Sequence, residues 1–267
     1  SFIGGMLSKA GENITLIDGW PDHIKTIKRL GLRISGTQGE HIIRLNAIHI
    51  NEVQRFLTNP FDITFICTKS YDTAWSTALI ADYLSPSGFV VSLQNGFNEE
   101  IIGGIIGPHR VLGCVASTLG AELIDPGHVT RSYMPGGSKH YVFRVGEIDS
   151  SKTQRVAKIV HLLSKVDSTT ETTNLWGERW SKLVANAISN PLASITGLND
   201  REMSVNPRVR NISIRIGAEA IAVGQAMGYS LNNIHGIEAN RWIDASNRNS
   251  LEDLHEDLKQ TAYRATD

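Results

Sequence analysis

Apolar residues between Phe2 and Val115 follow two alternating patterns along the chain. Short continuous apolar runs predict buried strands over Ile14–Asp18, Phe61–Thr68, Phe89–Leu93 and Val111–Ala116. Patterns with a helical period lie around and between them, over Phe2–Ala10, Pro21–Leu30, Asp72–Leu84 and Asn98–Ile106. Strands that alternate with helices are typical of a mostly parallel sheet covered on both faces. The sequence therefore predicts an α/β fold with a doubly wound sheet.

Strand signals nearly disappear in the last third of the chain. A helix is predicted over Ser151–Lys165, and a stretch rich in Thr and Ser follows from Asp167 to Thr173. From Leu175 onward the pattern is helical. We therefore expect two domains, residues 1–166 with the α/β pattern and residues 167–267 with helices only.

Composition excludes several classes of function. The 267 residues have a formal net charge of −1, with neither a basic stripe nor a charge block, which argues against a nucleic-acid or anionic-membrane partner. No apolar run approaches the roughly 20 residues of a membrane-spanning helix, and the first residues lack signal-peptide features. Cys67 and Cys114 lie in strand-like runs, where we expect buried free thiols, and no Cys pair suggests a metal. A reducing cytoplasm fits this pattern.

The first thirty residues match the second half of a dinucleotide-binding unit. Such a unit has a strand, a Gly-rich turn, a helix and a second strand that ends in an acidic residue. Phe2–Ala10 supplies the helix, and Asp18 ends the following strand. We expect the first strand and the GxGxxG turn to precede Ser1. Asp18 would bind the ribose hydroxyls of NAD, although Arg29 and Arg33 leave NADP open and Asp18 could instead cap the helix at Pro21.

Two further polar segments follow predicted strands at their carboxyl ends. Thr68-Lys69 follows the strand that begins at Phe61, and Gln94-Asn95-Gly96 follows the strand that begins at Phe89. Each has an ordinary alternative, since Lys69 could be a solvated strand end and Asn-Gly is a common turn pair. Open α/β sheets bind ligands at this edge, so the two segments together favour a binding site.

The segment from Trp180 to Pro191 suggests the chemistry. Lys182, Asn186 and Asn190 are spaced four residues apart, so they span only ~80° of one face of an apolar helix. Reduction of a ketone places negative charge on the carbonyl oxygen, which an ammonium can stabilise and protonate. Partial burial of a lysine lowers its pKa and makes it a better acid. The alternative is a solvent-facing polar stripe.

These motifs together resemble the ketopantoate reductase (2-dehydropantoate 2-reductase) family. The matching segments, in the order of the family, are Gly4-Gly5 to Asp18, Thr68–Asp72, Gln94–Gly96, Gly120-Ala121 with Pro126-Gly127, and Trp180–Pro191. The resemblance implies an N-terminal Rossmann-type dinucleotide-binding domain and a helical substrate domain that contains the catalytic residue. It implies reduction of a small 2-keto acid to the 2-hydroxy acid with NADP or NAD, as in pantothenate biosynthesis.

The resemblance also implies roles for individual residues. Lys182 would be the general acid. The residues expected to bind substrate are Asn95, Asn186, Asn190, Asn199 and Asp267. Those expected to bind the cofactor are Asp18, Lys69, Asn95 and Ala121. No metal is expected, and a homodimer formed through the helical domain is expected by analogy.

The C-terminal region departs from the family pattern. Arg264–Asp267 matches the Gly-Arg-x-Thr-Glu motif with Asp in place of Glu, but the preceding Ser-Met-x-Gln-Asp motif is not matched. His255 falls at the serine position and Lys259 at the aspartate position. His255 could contact an acidic substrate or could be a surface residue, and the identity of the keto acid stays open.

Two other functions are compatible with the same residues. A 3-hydroxyacid or 6-phosphogluconate-type dehydrogenase also uses a Lys and an Asn four residues apart on a helix. A phosphate-bearing substrate would need an Arg cluster near that helix, where the sequence offers Arg179 and Arg201. A non-catalytic cofactor-binding regulatory protein is the third option, and the unmatched serine motif is the feature that favours it.

Overall fold

The chain forms two compact units, Ser1–Leu175 and Trp176–Asp267. The computed structural model describes residues 1–137, 140–247, 254 and 256–258. His255, Lys259 and Asp267, which the sequence analysis singled out, lie outside the described residues.

The first unit alternates helices and strands as the hydrophobic pattern predicts. Its α-helices are α1 (Phe2–Lys9), α2 (Pro21–Leu30), α3 (Thr73–Ala81), α4 (Glu99–Ile106) and α5 (Gln154–Leu163). Its strands are β1 (Thr15–Asp18), β2 (Leu32–Gly36), β3 (His41–Ile43), β4 (Asn46–His49), β5 (Phe61–Ile66), β6 (Leu84–Ser92), β7 (Val111–Ala116), β8 (Ala121–Asp125), β9 (His128–Arg131), β10 (Phe143–Glu147) and β11 (Thr169–Glu171). The predicted α/β class is confirmed.

The strands of the described residues form three sheets. The largest has the order β11-β10-β7-β6-β5, in which β5, β6 and β7 run parallel and β10 is antiparallel to β7. A second sheet has the order β3-β2-β9-β8, and β1 pairs with β4 in parallel. The carboxyl ends of β5 and β6 therefore lie side by side, at the edge where we expected a binding site.

Helix α1 packs unusually close to the strands because two of its residues are glycines. A Cβ on Gly4 would lie 2.5 Å from Leu16 Cδ2, and a Cβ on Gly5 would lie 2.7 Å from Leu32 Cδ2. The apolar face of the helix, including Phe2 and Leu7, is buried in the core of the unit. This is the close helix–strand contact that glycine provides in dinucleotide-binding folds.

The second unit is helical. Its helices are α6 (Leu175–Thr196), which begins at the last residue of the first unit, α7 (Asp200–Val205), α8 (Pro207–Ala226) and α9 (Ala239–Asn247). Val184, Ile188, Ile214 and Trp242 form the centre of its core. The Trp180 indole Nε1 donates to the Ala220 carbonyl oxygen at 2.8 Å, which fixes α6 against α8. Among the described helices, none combines the length and apolarity that crossing a bilayer would require.

One expectation about the cysteines is wrong. Cys114 is buried in β7, but Cys67 is exposed. Cys67 comes just after β5. In the described part of the chain, β5 is an edge strand of its sheet and is hydrogen-bonded to β6. A residue beyond the end of such a strand is covered on fewer sides than one in a central strand.

Candidate active site

The loops that follow β5 and β6 are held together by buried hydrogen bonds. Gln94 is 5% exposed, and its Nε2 donates to the Thr68 carbonyl oxygen at 3.0 Å and to the Thr73 hydroxyl at 2.9 Å. The structure therefore brings the Lys69 and Asn95 segments together, as their positions at the strand ends predict. Both Lys69 and Asn95 are exposed at this edge.

Two buried residues beneath these loops were not predicted from the sequence. Thr73 and Asn98 are both 0% exposed, and the Thr73 hydroxyl lies 3.1 Å from Asn98 Oδ1. The only sequence signal was a polar residue at the start of each predicted helix, which is ordinarily explained as helix capping. The Asn98 side chain makes no capping bond to α4.

Asp18 ends β1 and is half-buried. Its Oδ1 accepts a hydrogen bond from the Trp20 amide at 2.8 Å, so the carboxylate supports the turn before α2. This contact matches the capping alternative in part, and it leaves the ribose role a prediction. β1 pairs with β4, whereas Lys69 and Asn95 follow strands of the largest sheet.

The start of α1 fits a dinucleotide pyrophosphate. The first bond of the helix runs from the Gly5 amide to the Ser1 carbonyl oxygen, so the amides of the first turn have no acceptor within the helix. Ser1 makes no side-chain cap. Helix N-termini of this kind bind phosphate groups, and the close packing at Gly4 and Gly5 belongs to the same motif.

His23 connects the start of α1 to a distant turn. Its Nδ1 accepts a hydrogen bond from the Gly127 amide at 2.9 Å, so Nε2 bears the proton and donates to the Ser1 hydroxyl at 2.8 Å. Burial lowers the pKa of His23, while nearby Asp18 raises it by a smaller amount. The neutral imidazole therefore links α1 to the β8–β9 turn.

Ala121 begins β8 and is exposed. It pairs with Arg131 in the β8–β9 hairpin and follows Gly120, whose φ of 55° is in the left-handed region that glycine tolerates. This hairpin belongs to a different sheet from the strands that precede Lys69 and Asn95. A cofactor contact for Ala121 stays a prediction.

In the second unit, α6 presents the predicted polar stripe. Lys182 and Asn186 are half-buried and Asn190 is exposed. The opposite side of the helix contains Val184 and Ile188, which are 0% and 5% exposed. Pro191 lies inside α6, which continues to Thr196. The three polar residues thus share one face of a helix whose other face is in the core.

Asn199 has a structural function in this fold. Its Oδ1 accepts from the Glu202 amide at 2.9 Å, and Glu202 Oε2 accepts from the Asn199 amide at 2.9 Å. This is a capping box at the start of α7. A substrate contact for Asn199 stays a prediction.

Comparison with known proteins decides the family. The sequence model of the family ketopantoate reductase PanE/ApbA matches residues 1–140. The sequence model of the family's C-terminal domain matches residues 174–263. The chain belongs to the ketopantoate reductase family. This confirms the family resemblance and the expected class of NAD(P)-dependent oxidoreductase.

Individual members of the family align over most of the chain. The 2-dehydropantoate 2-reductase of Archaeoglobus fulgidus is 30% identical over 260 residues, which are 95% of this chain and 80% of that protein. The enzyme of the same name from Pyrococcus horikoshii is 28% identical over 85% of this chain and 71% of its own length.

Solved structures of low sequence identity share the fold. A ternary structure of D-mandelate dehydrogenase with NADH and anilino(oxo)acetate has a TM-score of 0.77 at 21% identity, and covers 91% of this chain and 74% of its own. The 2-dehydropantoate 2-reductase of Geobacter metallireducens has a TM-score of 0.76 at 22% identity, with coverages of 97% and 78%.

Proposed function

We propose that this ketopantoate reductase family member reduces a small 2-keto acid to the 2-hydroxy acid with Lys182 as the general acid. The observation that supports this role is the stripe of Lys182, Asn186 and Asn190 on α6, with core residues on the opposite face. The names of the aligned relatives, 2-dehydropantoate 2-reductases, support a keto acid of that kind as substrate.

The proposed mechanism assigns one task to each group. A bound NADPH or NADH supplies the hydride to the keto carbon. The Lys182 ammonium donates its proton to the carbonyl oxygen as negative charge develops there. The side-chain amides of Asn186 and Asn190 bind the carboxylate or a hydroxyl of the substrate and orient the carbonyl toward Lys182.

The first unit is proposed to bind the cofactor. The start of α1 accommodates the pyrophosphate, and Asp18 binds the ribose. Lys69 and Ala121 line the cofactor, and Asn95 lies between cofactor and substrate. Asn199 and Asp267 complete the proposed substrate contacts.

The proposal includes the assembly and location of the protein. A homodimer formed through the second unit is expected by analogy, and sedimentation equilibrium would measure it. The free thiols of Cys67 and Cys114 are compatible with a reducing cytoplasm.

Replacement of Lys182 tests the mechanism. We expect Lys182→Ala to lower kcat by about 100-fold or more, because general acid catalysis contributes on that order. Lys182→Arg should not restore kcat, since a guanidinium keeps the charge but does not release its proton near neutral pH. The dissociation constant of NADPH or NADH, measured by nicotinamide fluorescence, should stay within about 3-fold of the wild type, because Lys182 lies outside the proposed dinucleotide contacts.

Lys158→Ala is the matched control, because Lys158 is an exposed lysine on α5. Equal kcat for Lys182→Ala and wild type would contradict the proposed role. A wild-type protein that binds cofactor but reduces no member of a panel of 2-keto acids would favour the regulatory alternative. Oxidation of a 3-hydroxyacid with NADP⁺ or NAD⁺ in a separate assay would favour the other dehydrogenase class.

A further inference from the structure

Asn98 lies beneath the two loops that contain Lys69 and Asn95, and its side chain contacts both. Its Oδ1 accepts hydrogen bonds from the Ser70 hydroxyl at 2.6 Å and the Thr73 hydroxyl at 3.1 Å. Its Nδ2 donates to the Asn95 carbonyl oxygen at 2.9 Å. One buried amide therefore connects the residue after Lys69 to the backbone of Asn95 itself.

Helix capping does not explain why an asparagine occupies this position. Asn98 precedes α4, where an asparagine ordinarily accepts a bond from an amide of the first turn. Here the side chain makes no such bond, and Glu99 Oε2 accepts from the Asn98 amide at 3.2 Å. The Asn98 carboxamide is directed to the loops instead.

The Asn95-Gly96 turn is built around this contact. Gly96 has a φ of 85°, which favours glycine, and a Cβ on Gly96 would lie 3.9 Å from both Asn98 Nδ2 and Ser70 Oγ. The turn therefore passes directly over the side chain that fixes it. The Asn98 side chain is 0% exposed, so water cannot replace a hydrogen bond that it loses. Burial therefore makes this arrangement specific.

We propose that Asn98 is a positioning residue that sets the placement of Lys69 relative to Asn95. This inference rests on the proposed function, in which Lys69 contacts the cofactor and Asn95 lies between cofactor and substrate. The Oδ1 contacts fix the Lys69 side of the site, and the Nδ2 contact fixes the Asn95 side. Reactive groups need such support, because small displacements reduce the rate strongly.

Two substitutions separate the two sides. Ser70→Ala removes the shorter of the two Oδ1 contacts on the Lys69 side and leaves the Nδ2 contact with Asn95 in place. We therefore expect the dissociation constant of NADPH or NADH to rise about 3- to 10-fold with kcat within about 2-fold of wild type. Leucine has a volume similar to that of asparagine, and Asn98→Leu removes the contacts of both Oδ1 and Nδ2. We therefore expect the dissociation constant to rise and kcat to fall by about 10-fold or more.

Ser85→Ala is the matched control. The Ser85 hydroxyl donates to Asp62 Oδ1 at 2.9 Å and joins β5 to β6 nearer the amino ends of these strands. Ser85→Ala therefore measures the effect of losing a hydrogen bond between the same two strands. We expect the cofactor dissociation constant and the kcat of Ser85→Ala to match those of the wild type. All variants are compared at one temperature at which circular dichroism shows each of them to be fully folded, so that a general loss of stability does not enter the comparison.

The outcomes distinguish this inference from the proposed function. If Asn98→Leu and Ser70→Ala behave like Ser85→Ala in cofactor affinity and in kcat, Asn98 has only a structural role. If Asn98→Leu does not fold, an unchanged cofactor affinity in Ser70→Ala overturns the inference on its own. Cofactor affinity is measured without substrate, so the test holds even if the wild type reduces no 2-keto acid, a result that would count against the proposed function alone.

Discussion

Single residues in this protein have contacts that their sequence neighbours do not reveal. Asp18 was expected either to bind a ribose or to cap a helix, and its carboxylate supports the turn through the Trp20 amide. Arg33, which left NADP open as a cofactor, forms an ion pair with Glu40 at 3.2 Å. Both side chains of this pair are exposed, and exposed ion pairs are weak, so the pair does not decide between NADP and NAD.

Asp18→Asn tests the cofactor preference, because the amide keeps an oxygen for Trp20 and removes the charge. We expect the ratio of kcat/KM with NADPH to kcat/KM with NADH to rise about 10-fold, since the 2′-phosphate no longer meets a carboxylate. Steady-state kinetics with both cofactors measure the ratio. Asp22→Asn, a change in an exposed acid on α2, serves as the control and should leave the ratio unchanged.

At the scale of single elements, the fold depends on how closely α1 approaches the strands. The sequence predicted α1 and its position before β1, but not that two of its residues permit this approach. A Cβ on Gly5 would lie 2.7 Å from Leu32 Cδ2 and 2.8 Å from Ile34 Cδ1, and both neighbours are 0% exposed. A side chain at Gly5 would therefore force α1 away from β2.

Gly5→Ala should lower the free energy of unfolding by about 1–3 kcal/mol, because overpacking outweighs the better helix propensity of alanine. Gly104→Ala is the matched control within α4, where an added Cβ meets no atom within 4 Å. That substitution should raise the free energy of unfolding by up to about 1 kcal/mol. Urea denaturation measures both, and equal stabilisation by the two substitutions would contradict the packing argument.

At the scale of the whole molecule, residues far apart in sequence hold the first unit together. Arg131, at the end of β9, and Asp167, after α5, form an ion pair at 2.5 Å with side chains that are 0% and 1% exposed. Asp167 Oδ1 also accepts from the Gly136 amide at 2.9 Å. The pair connects the β3-β2-β9-β8 sheet to the segment that leads into β11.

Removing one member of this pair should be costly, because it leaves a buried charge without a partner. We expect Asp167→Ala to lower the free energy of unfolding by about 3–5 kcal/mol, and the double variant Arg131→Met/Asp167→Leu to recover most of that loss. Glu171→Ala breaks the exposed Lys152–Glu171 pair and should change stability little. Urea denaturation of all three distinguishes the cases, and a double variant less stable than Asp167→Ala would refute the explanation.

Local pattern was sufficient for the elements that form the centre of the first unit. β7 and α2 have the bounds that the hydrophobic pattern predicts, Val111–Ala116 and Pro21–Leu30. The pattern missed strands such as β3 and β8, which are short or exposed on most positions. Such strands are stabilised by pairing with distant segments, so no periodicity in their own residues marks them.

The sequence by itself determined the α/β class, the helical second unit and the four-residue spacing of Lys182, Asn186 and Asn190. These depend on hydrophobic periodicity and helix geometry, which neighbouring residues encode. Only the tertiary structure decided that Asn98 supports the Lys69 and Asn95 loops, that Asn199 caps α7 and that Arg131 meets Asp167. Those facts depend on which polar groups become buried together, because burial removes water as an alternative partner and makes each remaining contact specific.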